Sequence, residues 1–190
     1  MIAESRRRLL FFLALSPLVG CFTATQRERK PSWAEPIQAA GLPNLYRVDT
    51  ILYRSGQPLR GSAESLHRIG IKTVINLRAW HGDESVLGGT SLLNERIPVH
   101  AWKILSRDVI SVLKVLSKKE NGPFLLHCDY GADRTGLMVA IYRMVVQGRS
   151  REAAIEEMIY GGYGFHLIWQ NIVDYARAVD VEYLLAQLAK

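Results

Sequence analysis

From about residue 45 onward, short apolar runs alternate with stretches in which apolar positions recur every three or four residues. Val48–Tyr53 predicts a strand, followed by the turn Ser55-Gly56-Gln57-Pro58. Ser62 is placed to cap a helix running to Ile69 and closed by Gly70. Ile71–Leu77 is apolar enough for a strand buried on both faces. Arg96–Trp102 predicts another strand, confined to an edge by Pro98, which lacks the N–H that a central position needs. Ser106 then caps a helix from Arg107 with Ile110, Leu113 and Leu116 on one face. Asn121-Gly122-Pro123 stops it, Phe124–His127 is a short apolar strand, and helices follow over 135–146 and 150–158. Trp169, Ile172 and Tyr175 fall at helical spacing and are expected in the core. Strands alternating with helices give an α/β class: a single domain with a mostly parallel central sheet flanked by helices.

The first residues have a different character. Arg6-Arg7-Arg8 precede an apolar run from Leu9 to Val19, too short to span a bilayer and broken by Pro17. The run ends in Leu18-Val19-Gly20-Cys21, which resembles the lipobox of bacterial lipoproteins. That resemblance implies a signal peptide over 1–20, a lipid on Cys21, and a membrane partner reached through that lipid. It places the chain in the bacterial cell envelope, on the outer membrane facing the periplasm, because Phe22 is not an Asp-type retention signal. Residues 21–44 carry Pro31, Pro36 and Pro43 with no sustained period, so they read as a tether, with Arg29 and Lys30 solvated. The folded domain is then expected over 45–190.

Composition narrows the function. With 48% hydrophobic and 22% charged residues the chain is neither disordered nor of low complexity, and two cysteines exclude a disulfide scaffold. The net charge is +6, of which three arginines and one glutamate in the first twenty residues supply two. A mild excess of that kind suits an anionic ligand and lacks the clustered footprint of a nucleic-acid binder.

The chemistry concentrates where the strand at Phe124–His127 runs into Cys128-Asp129-Tyr130-Gly131-Ala132-Asp133-Arg134-Thr135-Gly136 and a helix begins. A loop between a strand end and a helix N-terminus can wrap a tetrahedral oxyanion in successive backbone N–H groups. The same amides and the helix dipole favour the Cys128 thiolate, and Arg134 offers a planar fork for two phosphoryl oxygens. Gly131 and Gly136 allow tight curvature and close approach.

His127-Cys128-x-x-Gly131-x-x-Arg134-Thr135-Gly136 resembles the signature of the cysteine-dependent tyrosine and dual-specificity phosphatases. Leu45-Tyr46-Arg47, Tyr53–Pro58 and Gly70–Arg78 are similar to bacterial relatives of the plant and fungal atypical dual-specificity enzymes, a likeness covering about 45–170. It implies hydrolysis of phosphate monoesters through a phosphocysteine on Cys128. Arg134 and the cradle of Asp129, Tyr130, Gly131, Ala132, Asp133 and Gly136 would hold the substrate. Thr135 would steady the departing thiolate and His127 would brace the loop from behind, with no metal or cofactor. The reading from another class is a phosphate-ester-binding module with little turnover.

A poor leaving group needs a proton donor. Asp108, in the turn that opens the helix before Pro123, is the first choice, although an acidic residue there also complements the helix dipole. Asp83 is the second. Arg54 is expected either at a phosphate or against a carboxylate. Asp129 and Asp133 put negative charge beside the cradle, where the plant and fungal relatives tend to be basic, so singly phosphorylated esters are expected over polyphosphorylated ones.

Overall fold

A computed structural model describes residues 23–190. Six strands, β1 (Glu35–Pro36), β2 (Tyr46–Arg47), β3 (Leu52–Ser55), β4 (Thr73–Asn76), β5 (Leu93–Arg96) and β6 (Phe124–His127), form one sheet in the order β1-β2-β3-β6-β4-β5. The first three pair antiparallel; β3, β6, β4 and β5 run parallel. Seven helices pack around them: α1 (Ala63–Arg68), α2 (Glu84–Leu87), α3 (Ser106–Ser117), α4 (Asp133–Val145), α5 (Arg151–Tyr160), α6 (Gln170–Ala178) and α7 (Val181–Leu188). The α/β class and the mostly parallel, helix-flanked sheet are therefore those expected. Among the described residues no helix is long and apolar enough to cross a membrane.

Period-two alternation divides the core. Ile75, Phe124 and Leu126 face one layer with Val109, Leu113, Leu137 and Ile141, while Val74 and Leu125 face another with Leu66, Ile71 and Leu87. Each fully buried aliphatic or aromatic side chain contributes about 1.5–3 kcal/mol, so the central strand β6 is held from both faces. Its register matters for function: His127 lies opposite Ser55 on one side and Asn76 on the other. The residues after β6 thus emerge where three parallel strands end together, the place where open α/β sheets bind ligands.

Three local expectations are corrected. The edge strand covers Leu93–Arg96 and stops before Pro98; Ile97 and Val99 still donate to the carbonyls of Asn76 and Leu77, after which the chain turns. Ser62 stands at the start of α1 but makes no capping bond, its hydroxyl buried without a partner, and Ser106 is the first residue of α3 rather than its cap. The described part of the expected tether is docked. Trp33, Ala34 and Leu42 are buried, Glu35–Pro36 is a strand, and Thr23 pairs with His166. Arg29 helps to tie this segment down, donating to the carbonyls of Ala34 (2.6 Å) and Gly161 (2.5 Å), and is half-buried rather than freely solvated. Cys21 and the signal segment lie outside the described residues.

Candidate active site

The loop from Cys128 to the start of α4 is held from outside by its own carbonyls. Gln57 N–H donates to the Asp129 carbonyl at 3.0 Å and Asn44 Nδ2 to the Tyr130 carbonyl at 2.8 Å. Arg54 Nη2 donates to Gly131 at 2.6 Å and to Ala132 at 3.4 Å. In a trans peptide the N–H points opposite to the C=O. Four outward carbonyls therefore turn the amides of Tyr130, Gly131, Ala132 and Asp133 the other way, into the concavity of the loop. That arrangement is an anion nest leading into a helix N-terminus. Gly131 makes the curvature possible: its φ is +71°, and a Cβ would sit 2.4 Å from the Ser55 backbone.

Arg54 performs neither of its two expected roles. It is wholly buried, stacked 3.7 Å over the Tyr163 ring, and it binds loop carbonyls instead of phosphate or carboxylate. Burial lowers its pKa from the ordinary arginine value, opposed by attraction to Tyr163 and Glu157.

Cys128 follows β6 and is 2% exposed. Behind it, His127 is wholly buried, with Nδ1 3.2 Å from the Cys128 carbonyl and Nε2 2.8 Å from Asp83 Oδ2. Asp83, expected as a second-choice proton donor, is itself wholly buried and committed to His127. Thr135 is buried with a hydroxyl that has no partner. Arg134 Nη1 donates to the carbonyls of Leu77 (3.3 Å) and Val99 (3.2 Å), and its Nη2 pairs with the Asp129 carboxylate.

Asp129 also accepts from Arg78 Nε at 2.9 Å. Partial burial pushes its carboxyl upward, but hydrogen bonding and attraction from Arg134, then Arg78, outweigh that and hold it below the usual range. A cavity of about 170 Å³ opens over Arg78, Asp129 and Arg134. Its rim carries His81, His100 and the indoles of Trp80, Trp102 and Trp169. No signal short of the fold would have assembled these, since they come from three separate loops and one helix approach.

Other expected site residues are placed elsewhere. Asp133 is bound to His166, by Oδ1 from the backbone N–H and by Oδ2 to Nδ1, each at 2.8 Å. Its carboxylate ties α4 to the Gly161–His166 turn, and its amide alone belongs to the nest. Tyr130 turns its ring outward, 70% exposed and edge-on to His166. Gly136 lies in α4, where a Cβ would sit 3.1 Å from Met158 of α5, so it serves helix packing. Asp108 pairs with its neighbour Arg107 at 3.5 Å in the first turn of α3 and is not part of the cavity lining. Among the described residues no group of three histidine, cysteine, aspartate or glutamate side chains could hold a metal ion.

Residues 38–171 match the family model described as a DSP-PTPase phosphatase fused to NAD+ kinase. The chain belongs to this phosphatase family. Dual specificity protein phosphatase TpbA of Pseudomonas aeruginosa PAO1 is 39% identical over 184 residues, covering 94% of this chain and 80% of the relative. The crystal structure of P. aeruginosa TpbA superposes with a TM-score of 0.76 at 37% identity, covering 84% of this chain and 98% of that one. A cysteine-to-serine variant of TpbA, crystallised in complex with pTyr, matches with a TM-score of 0.77 at 36% identity over 86% and 99% of the two chains. The catalytic core of the S. cerevisiae PP-IP phosphatase Siw14 shares the fold, at 20% identity and a TM-score of 0.66 over 79% and 95% of the two chains. Like its relatives in the family, this chain is a cysteine-dependent phosphatase of the dual-specificity type.

Proposed function

We propose that this phosphatase hydrolyses phosphotyrosine-like aryl monoesters, with Cys128 as nucleophile and Arg134 and the loop amides as the phosphoryl cradle. The observation that carries this is the outward tying of four successive carbonyls, from Asp129 to Ala132. Amides preorganised in this way bind the equatorial oxygens without reorganising as charge shifts in the transition state. Cys128 attacks phosphorus in line, the ester oxygen leaves, and water then attacks the phosphocysteine and releases inorganic phosphate. Thr135 Oγ1, unpartnered in the resting site, donates to the sulfur as it departs.

The aryl preference rests on the rim. Trp80 and Trp102 are 72% and 60% exposed beside a narrow cavity, offering flat faces to a planar leaving group. The TpbA complex with pTyr supports the same reading. Charge does not supply selectivity against polyphosphates, because both carboxylates of the loop are paired, Asp129 with two arginines and Asp133 with His166.

A lipid on Cys21 and a cell-envelope location, on the outer membrane facing the periplasm, complete the proposal. They are supported by the apolar run ending at that cysteine. Thr23, two residues later, pairs with His166, whose imidazole is bound to Asp133 at the end of the cysteine loop. The test is an assay of the full chain on phosphotyrosine peptide, phosphoserine peptide and an inositol pyrophosphate, with EDTA present and Cys128→Ser as control. Preference for phosphotyrosine that vanishes in Cys128→Ser is expected; preference for the pyrophosphate overturns the substrate assignment. Membrane release of a Cys21→Ser variant tests the anchor separately.

A further inference from the structure

The geometry points to His100 as the acid that protonates the leaving oxygen, an inference that rests on the phosphoryl-transfer reading above. The carboxylates are spoken for. Asp83 is sealed beneath His127, Asp133 is bound to His166, Asp108 is paired with Arg107 in the first turn of α3, and Asp129 sits between two guanidinium groups with no proton to give. The cavity's remaining proton carriers are the imidazoles of His81 and His100, since arginine does not release its proton.

His100 is the better placed of the two. Its Nδ1 is buried with no hydrogen-bond partner. Its ring lies between two indoles, 5.3 Å from Trp80 and 4.7 Å from Trp102 between centroids, which restricts its rotamers. Its backbone is fixed on both sides. Val99 N–H donates to Leu77, the Val99 carbonyl accepts from Arg134, Lys103 N–H donates to the His100 carbonyl, and Asn171 Nδ2 donates to Ala101 at 2.7 Å. The imidazole therefore sits one residue from the carbonyl that positions the phosphate-holding guanidinium. His81, by contrast, is an exposed loop residue. The charged groups around His100 are Arg78 and His81 from the loop after β4, Asp129 and Arg134 from the cysteine loop, and Lys103 across its own turn.

In the first step the Cys128 sulfur bonds to phosphorus, the P–O ester bond breaks, and the imidazolium proton passes to the leaving oxygen. In the second, water attacks phosphorus, gives a proton back to the neutral imidazole, and the S–P bonding pair returns to Cys128 as thiolate. Protons and electrons balance without a co-reactant.

A donor matters only when the leaving group is poor. The experiment compares kcat/KM of the full chain on phenyl phosphate and on 2,4-dinitrophenyl phosphate, whose leaving group needs no proton, for wild type, His100→Gln, His100→Asp, His81→Gln and Asp108→Asn. His100→Gln is expected to lose about 10²-fold or more on phenyl phosphate and little on the dinitrophenyl ester. The alkaline limb of its phenyl phosphate profile should flatten, and His100→Asp should restore part of the rate at lower pH. Equal losses on both esters would make His100 a structural or binding residue and overturn the proposal, as would a leaving-group-selective loss in His81→Gln or Asp108→Asn instead. Inactivity of wild type on both esters would defeat the phosphoryl-transfer reading itself.

Discussion

Arg54 reaches the Gly131 carbonyl at 2.6 Å from a position wholly shut off from solvent, so a buried cation acts on the substrate only through the backbone it bends. Two of its nitrogens, Nε and Nη1, have no partner. The site keeps an imperfectly satisfied charge in its interior in return for an amide nest of fixed shape.

Arg54→Met therefore separates function from stability. Removing a partly unpaired buried charge offsets the loss of the bond to Gly131, and unfolding free energy should change by less than about 1 kcal/mol, a shift of about 2–4 °C in Tm for a chain of this size. Turnover should fall by at least about tenfold, since a charged hydrogen bond contributes about 1.5–3 kcal/mol. Parallel calorimetry and steady-state kinetics check both halves.

Asp129 occupies Arg134 Nη2, a donor that the proposed phosphoryl cradle needs. Asp129→Asn should loosen that pairing and lower the inhibition constants of vanadate and inorganic phosphate severalfold at neutral pH. The carboxyl is held below its usual range in the folded chain. Its contribution to stability is therefore present above the unfolded value of about 3.9 and is lost as pH falls through the lower folded value. Acid titration of Tm in wild type should show a step below about pH 4 that Asp129→Asn lacks. Because the side chain is 41% exposed, solvent screening keeps the step small.

The Asp83–His127 pair, both wholly buried, braces the loop through the Cys128 carbonyl that His127 Nδ1 faces. Asp83→Ala leaves a buried imidazole without its partner and should cost about 1–3 kcal/mol of stability. Asp83→Asn, which can still accept a hydrogen bond, should recover most of it. Thermal unfolding of the two variants makes the comparison.

Arg29→Ala should free the segment before β2. Its bonds to Ala34 and Gly161 join the N-terminal segment to the turn that carries Tyr163, the ring beneath Arg54. Faster limited proteolysis between residues 23 and 45, with a smaller loss of turnover, is the expected outcome.

The sequence made β6, the cysteine loop and α4 readable because all three are continuous and their demands are local: an apolar strand, a glycine at positive φ, a helix start. What it hid depends on distance along the chain. Arg29 looked like solvated linker because its acceptor at Gly161 is 132 residues away. Asp129 and Asp133 look like free negative charge because Arg78 and His166, which pair with them, come from other elements. Asp108 stands out through its helix-start position, whereas His100 gains its significance from Trp80, and from Arg134 bound to the neighbouring Val99 carbonyl, which only the folded sheet brings near it. The edge strand β5 was misplaced because all four of its residues are exposed and carry no apolar alternation.

The most direct measurement is rapid acid quench of the full chain turning over an aryl phosphate, followed by peptide mass spectrometry. A phosphate adduct on the peptide holding Cys128, formed within the first turnover and absent in Cys128→Ser, is the expected result. Full turnover with no adduct at Cys128, or an adduct on another residue, would contradict covalent transfer through this loop.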